Sequence, residues 1–191
     1  RPEGIDEQLH DEALSRGLLR YCPVCDGYEV TDKKVAVIGT GAHGTAEAQF
    51  VRTYTADVTL ISPAGDHDLD PACSAQLDDA GIRRVAGPAG GYAIENGAFA
   101  LDTSEGRLAF DSVYPALGSV VRSGLAEKVG AKLSKTDGIV VGDHQETSVP
   151  GLFAAGDVVK GLDQISHAMG EAGVAATAIR NRLAEERPLR R

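Results

Sequence analysis

The feature that most constrains the fold is a short apolar run followed at once by a glycine-rich turn. Residues 35–38 read Val-Ala-Val-Ile, and residues 39–44 read Gly-Thr-Gly-Ala-His-Gly. A continuous β-branched run is typical of a parallel strand that is covered on both faces. A helical pattern follows to about Thr53, and residues 58–61, Val-Thr-Leu-Ile, predict a second strand. The order strand, glycine turn, helix, strand predicts an α/β unit with Rossmann-like topology.

Each glycine of the turn has a predicted task at a nucleotide site. Gly39 permits the tight turn, Gly41 allows a pyrophosphate to approach the backbone, and Gly44 lets the helix and strand pack closely. The N-terminus of the helix would supply N–H groups to the anion. The alternative interpretation is that the turn only packs a helix on a sheet and binds little.

The residues that would select the nucleotide are missing from the end of the second strand. An acidic residue there holds the ribose 2′-hydroxyl of NAD, and arginines hold the 2′-phosphate of NADP. The chain instead has Ser-Pro-Ala at residues 62–64, and no arginine lies between this strand and Arg83. Asp66 lies several residues late for a ribose contact. The sequence therefore predicts the geometric half of a dinucleotide site without its selecting half.

Cys22 and Cys25 form a Cys-x-x-Cys motif that is followed directly by Asp26. The two-residue spacer lets the sulfurs close a small, reversible disulfide ring, and a neighbouring carboxyl group can carry the proton that thiolate formation requires. We favour a redox pair, with the third cysteine, Cys73, as a structural residue in a predicted helix. A zinc site, which needs four ligands, and a pair of inert buried thiols are the alternatives.

The rest of the chain adds a β-meander and a final strand–helix segment. Short alternating segments begin near residue 91 and are broken at Asn96-Gly97, which is a strong hairpin signal. Residues 147–157 predict a strand that ends at Gly156-Asp157, and a long helix follows from about Gln164 to Ala184. A carboxylate at the end of a strand lies where ligands bind in open α/β sheets. The remaining predictions are a helix over residues 6–19, a strand leaving the first domain at residues 112–118, and a strand at residues 138–141.

Composition narrows the classes of partner. Asp and Glu number 28 against 19 Lys and Arg, for a net charge of -9, and an acidic chain repels nucleic-acid phosphates. No apolar run approaches the roughly 20 residues of a membrane span, and the N-terminus has no secretory signal pattern. We therefore expect a cytoplasmic protein that binds neither nucleic acid nor a membrane.

Three motifs in this order resemble the thioredoxin reductase family: Cys-Pro-Val-Cys-Asp-Gly at residues 22–27, Lys-Val-Ala-Val-Ile-Gly at residues 34–39, and residues 147–157. The resemblance implies an α/β fold with a Cys-x-x-Cys-containing, Rossmann-like NAD(P)-binding domain and its appended β-meander at residues 1–115. The C-terminal segment of an FAD-binding domain would occupy residues 116–191.

The resemblance also implies an enzyme, a flavin-dependent thiol–disulfide oxidoreductase, in which FAD passes electrons to the cysteine pair. Cys25 would face the flavin, Cys22 would attack the disulfide of a thioredoxin-like protein or a small disulfide, and Asp26 would be the acid/base. A homodimer is suggested, and no metal is expected. The cofactor positions that carry over are Asp157 after Gly156 for the ribityl chain of FAD, the backbone of Gln164 and Ile165 for its ring, and Gly39, Gly41 and Gly44 for the nicotinamide nucleotide.

Two departures from the family pattern keep alternatives open. The arginine pair that recognises NADPH is replaced at residues 62–64, which favours a dithiol oxidase or reductase with another electron donor. The family's first FAD-binding strand and glycine motif do not precede the cysteines, and the chain begins at Arg1, so we expect a longer parent protein and an incomplete FAD site here. A third alternative, from a different class, is a non-catalytic Rossmann-like binding module.

Overall fold

The computed structural model describes residues 1–187, and the chain divides into two compact units, residues 1–118 and 119–191. The boundary predicted from the sequence lay between residues 115 and 116. The helices are α1 (Glu7–Ser15), α2 (Pro23–Asp26), α3 (Gly41–Arg52), α4 (Pro71–Asp79), α5 (Gly124–Lys128) and α6 (Ile165–Glu186), with a 3-10 turn at Gly27–Val30. The strands are β1 (Val35–Ile38), β2 (Val58–Ile61), β3 (Arg83–Val85), β4 (Gly90–Glu95), β5 (Ala98–Thr103), β6 (Gly106–Phe110) and β7 (Ser112–Pro115).

The first unit is built on a parallel sheet of four strands in the order β3-β2-β1-β7. Every residue of β1, β2 and β7 is buried, as expected for strands covered on both faces. The predicted strand at residues 112–118 does not leave the domain: β7 lies beside β1, with Tyr114 opposite Val37.

Two apolar clusters cover the two faces of this sheet. Because successive strand side chains alternate in direction, Val35 and Val37 pack with α3 and α4, whereas Ala36 and Ile38 pack in the cluster that contains Phe99, Leu101 and Phe110 of the meander. The meander is the antiparallel sheet β4-β5-β6. Asn96 and Gly97, both with positive φ, form its first turn, as the Asn-Gly signal predicts.

The helix predicted over residues 6–19 is shorter in the structure, where α1 ends at Ser15. Asp6 caps its start, accepting a hydrogen bond from the Leu9 N–H at 2.9 Å, and Gly17, with φ of 65°, turns the chain out of the helix. Leu18 and Leu19 are buried because this segment runs beside β7, with the Val113 N–H donating to the Leu18 carbonyl. Their apolar spacing reflects that pairing and not a helical face.

The second unit contains α5, α6 and a set of isolated backbone bridges. The strands predicted at residues 138–141 and 147–157 are wrong in this respect, since Ile139, Val141, Glu146 and Phe153 form only single bridges. Asp137, Gln145, Gly151 and Gly156 have positive φ, which interrupts extended structure. The long helix is close to its predicted range. None of the helices formed by residues 1–187 combines the length and the apolar character needed to cross a bilayer.

Candidate redox site

Cys22 and Cys25 are joined in a disulfide at the start of α2. Pro23 occupies the first turn of this helix and is buried, which places the two cysteines on either side of a fixed backbone turn. Cys22 is half-buried and Cys25 is exposed. The alternative of two inert buried thiols does not fit this exposure, and the disulfide is accessible to a partner.

The arrangement of the cysteines differs from that of a zinc site. The two sulfurs are bonded to each other, and within residues 1–187 no three or more histidine, cysteine or acidic side chains lie close enough together to hold a metal ion. Cys73, in α4, is buried and free. The chemistry that this arrangement supports is therefore opening and closing of the Cys22–Cys25 bond.

Asp26 follows the disulfide and is held by two side chains, one at each carboxylate oxygen. The Tyr114 hydroxyl donates to Oδ1 at 2.7 Å, and Arg20 Nη1 lies 3.1 Å from Oδ2. Arg20 also pairs with Glu29 at 2.7 Å. Burial, and then the hydrogen bond to Asp26, raise the pKa of Tyr114 far above its ordinary value, so the phenol stays a donor.

Sequence reasoning found Cys22, Cys25 and Asp26 but missed Arg20 and Tyr114. Arg20 lies two residues before the motif and carried no pattern of its own. Tyr114 lies 88 residues from Asp26, and only the pairing of β7 with β1 brings it near. A tyrosine within a predicted strand was the one available signal, because a buried hydroxyl usually has a partner.

The glycine turn packs β1 against α3. A Cβ added at Gly39 would lie 2.9 Å from the Ala116 carbonyl oxygen, and one added at Gly44 would lie 2.8 Å from the carbonyl carbon of Gly39. Gly41 begins α3 with φ of 62°. Close helix–strand packing thus accounts for Gly39 and Gly44 without any ligand.

The segment after β2 folds over this turn. The Asp68 N–H donates to Thr40 Oγ1 at 2.8 Å, and a Cβ at Gly41 would lie 3.5 Å from the Asp68 carbonyl oxygen. The side chains of Asp66 and Asp68 are exposed there. An acidic segment on the turn repels a phosphate group, and the first arginines after β2, Arg83 and Arg84, are paired with Glu105 and Asp78. The acidic residues that follow β2 are thus opposite in charge to the arginines that hold the 2′-phosphate of NADP.

In the second unit, Gly156, one of the predicted FAD positions, contacts a buried acid. The Gly156 N–H donates to Glu171 Oε2 at 2.7 Å, Glu171 is 8% exposed, and its other oxygen lies 3.1 Å from His167 Nε2. The Asp157 carboxylate is exposed and lines a groove of about 320 Å³ with Arg122 and Asp163. The sequence analysis missed Glu171, whose signal was an acid four residues after a histidine on one helix face.

The residues around this groove fit a polar cofactor chain. Asp157 is exposed at this groove, and Gln164 precedes Ile165, the first residue of α6, which is 82% exposed. N–H groups at a helix N-terminus stabilise negative charge. The hydroxyl-rich chain of a flavin nucleotide is compatible with this donor and acceptor set.

The sequence and structure were compared with known proteins. A model of the family "pyridine nucleotide-disulphide oxidoreductase" matches residues 4–172. The thioredoxin reductase of Listeria monocytogenes serovar 1/2a is 30% identical over 182 residues, which is 86% of this chain and 54% of that protein. The chain therefore spans about half the length of that relative.

Solved structures are similar in fold. The atypical thioredoxin reductase TRi from Desulfovibrio vulgaris Hildenborough matches with a TM-score of 0.56 and 27% identity, covering 99% of this chain and 62% of that one. The thioredoxin reductase from Streptococcus pyogenes MGAS5005 matches with a TM-score of 0.73 and 24% identity, covering 90% of this chain and 58% of that one. The second likeness supports the fold.

Proposed function

Because the chain belongs to the pyridine nucleotide-disulphide oxidoreductase family, we propose that it is the dithiol-bearing part of a flavin-dependent thiol–disulfide oxidoreductase of the thioredoxin reductase type. The observation that carries the proposal is the accessible Cys22–Cys25 disulfide with Asp26 beside it. The proposed substrate is the disulfide of a thioredoxin-like protein or of a small molecule. The proposed compartment is the cytoplasm, where thiol pairs are kept reduced, and the proposed assembly is a homodimer.

The reaction exchanges one disulfide for another. The Cys22 thiol releases its proton to solvent, the resulting thiolate attacks a substrate sulfur to form a mixed disulfide, and the first substrate thiolate leaves and takes up a proton from solvent. Cys25 then gives its proton to the Asp26 carboxylate and attacks the Cys22 sulfur. This step restores the Cys22–Cys25 bond, and the second substrate sulfur leaves with the proton from Asp26. Two electrons and two protons thus pass from the dithiol to the substrate.

FAD would supply the electrons that reduce the Cys22–Cys25 bond again. Asp157, with Gly156 held by Glu171, would bind the ribityl chain, and the backbone of Gln164 and Ile165 would meet the ring. The buried Glu171 supports this assignment because it holds the Gly156 turn, and with it the neighbouring Asp157, against α6.

A second candidate function is the same exchange with an electron donor other than NADPH. It is favoured by the segment that covers the glycine turn, where the Asp68 N–H bonds to Thr40 and the exposed carboxylates of Asp66 and Asp68 oppose phosphate. In this interpretation Gly39, Gly41 and Gly44 serve the packing of β1 on α3 and no nicotinamide nucleotide binds there.

Single turnover of the cysteine pair tests the proposed function without any cofactor. The chain is reduced with dithiothreitol, freed of reductant and mixed with oxidised thioredoxin, and thiols are counted before and after. We expect one substrate disulfide to be reduced per chain, because the dithiol holds one electron pair. Cys22→Ser should abolish the reaction, and Cys25→Ser should stop it at a mixed disulfide on Cys22.

The matched control is Cys73→Ala, which removes the remaining thiol from α4 and should leave the exchange unchanged. Failure of the wild-type chain to re-form the Cys22–Cys25 disulfide while thioredoxin stays oxidised would refute the proposed function. In that case the binding-module interpretation would stand.

A further inference from the structure

We propose that Tyr114 is a positioning residue for this exchange, whose hydroxyl holds the Asp26 carboxylate in the orientation in which it accepts the proton of Cys25. The inference rests on the proposed function of the cysteine pair. It assigns a task to a side chain in the central sheet, far from the motif in sequence.

The Tyr114 hydroxyl is a rigidly held donor. Tyr114 lies in β7 opposite Val37 of β1, and its side chain is 0% exposed within the cluster that includes Val30 and Ala116. A ring packed in this way has one orientation, so its hydroxyl is fixed in space. The 2.7 Å hydrogen bond to Asp26 Oδ1 therefore ties the acid to the sheet.

The other carboxylate oxygen of Asp26 is also held. Arg20 Nη1 pairs with Asp26 Oδ2 at 3.1 Å, while Arg20 Nε donates to the Gly17 carbonyl oxygen and Nη2 to Glu29. The backbone N–H of Arg20 donates to Val113, next to Tyr114. With one partner on each oxygen, the carboxylate cannot rotate freely, yet each oxygen keeps a lone pair for a proton.

The groups that surround Asp26 also match a carboxylate. The titratable and charged groups around Asp26 are Arg20 and Tyr114, then Glu29 through Arg20, with Cys25 adjacent in the chain. A phenol and a guanidinium both donate hydrogen bonds, so each matches a carboxylate, which only accepts them. Loss of the phenol would leave Oδ1 without this donor and let the carboxylate leave the orientation in which it is held.

Packing alone does not require the hydroxyl of Tyr114. Phenylalanine has the same ring, and burial of a hydroxyl is unfavourable unless it is hydrogen-bonded. In the part of the chain that the structure describes, Asp26 is the acceptor for this hydroxyl. Tyr114→Phe is therefore a selective probe of the contact.

The experiment follows the two steps of disulfide exchange separately. Reduced protein is mixed with 4,4′-dithiodipyridine in a stopped-flow instrument between about pH 4 and pH 9. The first release of thiopyridone reports the attack by Cys22, and the second reports ring closure by Cys25. In Tyr114→Phe we expect the second step to slow roughly tenfold, part of the factor that a positioned acid/base supplies, with the first step unchanged.

Tyr92→Phe is the matched control, because the Tyr92 hydroxyl of the meander donates to the Ala89 carbonyl oxygen at 3.0 Å and should not affect either step. In an Asp26→Asn background, Tyr114→Phe should have no further effect, since coupled residues are not additive. A merely structural role for Tyr114 would not produce this dependence on Asp26.

A profile of Tyr114→Phe that superimposes on wild type would overturn the inference. If Tyr114→Phe does not fold, Asp26→Glu keeps a carboxyl group but displaces it from the hydroxyl, and an unchanged rate of ring closure there would overturn the inference equally. Absence of the second step in the wild-type chain would instead mean failure of the proposed function, so the two failures are distinguishable.

Discussion

Gly44 and Gly173 are both glycines inside helices, yet a methyl group has opposite consequences at the two positions. A Cβ at Gly44 would lie 2.8 Å from backbone of Gly39, where nothing can move aside without shifting β1 against α3. A Cβ at Gly173 would meet no atom within 4 Å. The glycine is therefore required by packing in α3 and only tolerated in α6.

We expect Gly44→Ala to lower the free energy of unfolding by about 1–3 kcal/mol, the usual cost of overpacking. Gly173→Ala should raise it by about 0.5–1 kcal/mol, because alanine restricts the unfolded chain and favours the helix. Urea denaturation followed by circular dichroism measures both changes. Equal midpoints for Gly44→Ala and wild type would show that the glycine turn is not the close contact described above.

Residues that act with their sequence neighbours could be predicted, whereas residues that act across the fold could not. Cys22, Cys25 and Asp26 are adjacent, so their shared chemistry is visible in the chain. Tyr114 reaches Asp26 only through strand pairing. Glu171 holds the Gly156 N–H only after α6 and the turn have packed.

At the scale of elements, the segment between β2 and α4 decides what the nucleotide-like turn can bind. Thr40 bonds to the Asp68 backbone, and Asp70 caps α4 by accepting from the Cys73 N–H at 2.7 Å. In the same segment, both ring nitrogens of His67 are shielded from solvent. A single segment thus covers the turn and starts the next helix.

Burial lowers the pKa of His67 below its ordinary value, which makes the stability of this segment depend on pH. The unfolded chain binds the proton more readily, so stability should be full above about pH 6.5 and fall as the pH drops below it. We expect the thermal midpoint of wild type to decrease between about pH 7.5 and pH 5.5, and to decrease less in His67→Gln.

His43→Gln, which changes an exposed histidine of α3, is the control and should keep the wild-type pH dependence. The explanation would be wrong if His67→Gln lost as much stability as wild type over the same range. Calorimetry at the two pH values is sufficient to decide this.

Elements with strong local signals agreed with the sequence, whereas two segments whose environment is set by distant partners did not. The Asn-Gly turn and alternating residues predicted the β4-β5 hairpin because that pairing is between sequence neighbours. Residues 147–157 have strand-like composition but find only single bridges. The end of α1 was missed because Leu18 and Leu19 are buried by β7 and not by a helical face.

At the scale of the whole molecule, the two units differ in how much core each contains. The first has two apolar clusters on the two faces of its sheet, whereas the described residues of the second form a smaller cluster around Ala126, Ala131 and Ile139.

A single assay of the whole chain distinguishes the possible electron donors. With added FAD and oxidised thioredoxin, we expect NADPH to give no disulfide reduction, because the acidic segment covers the glycine turn, and photoreduced FAD to give it. Cys22→Ser in the same assay measures the background from free flavin. Rapid turnover with NADPH would remove the second candidate function and leave the first.

The sequence by itself determined the α/β class, the parallel strands β1 and β2 around a glycine turn, the hairpin of the meander and the identity of the cysteine pair. These depend on periodicity and on neighbours within a few residues, which the chain carries directly. The tertiary structure alone decided that Tyr114 and Arg20 hold Asp26, that Glu171 holds the Gly156 turn, and that Asp68 covers the turn at Gly41. Such contacts join residues far apart in the chain, and they exist only because burial of the apolar clusters brings the elements that carry them together.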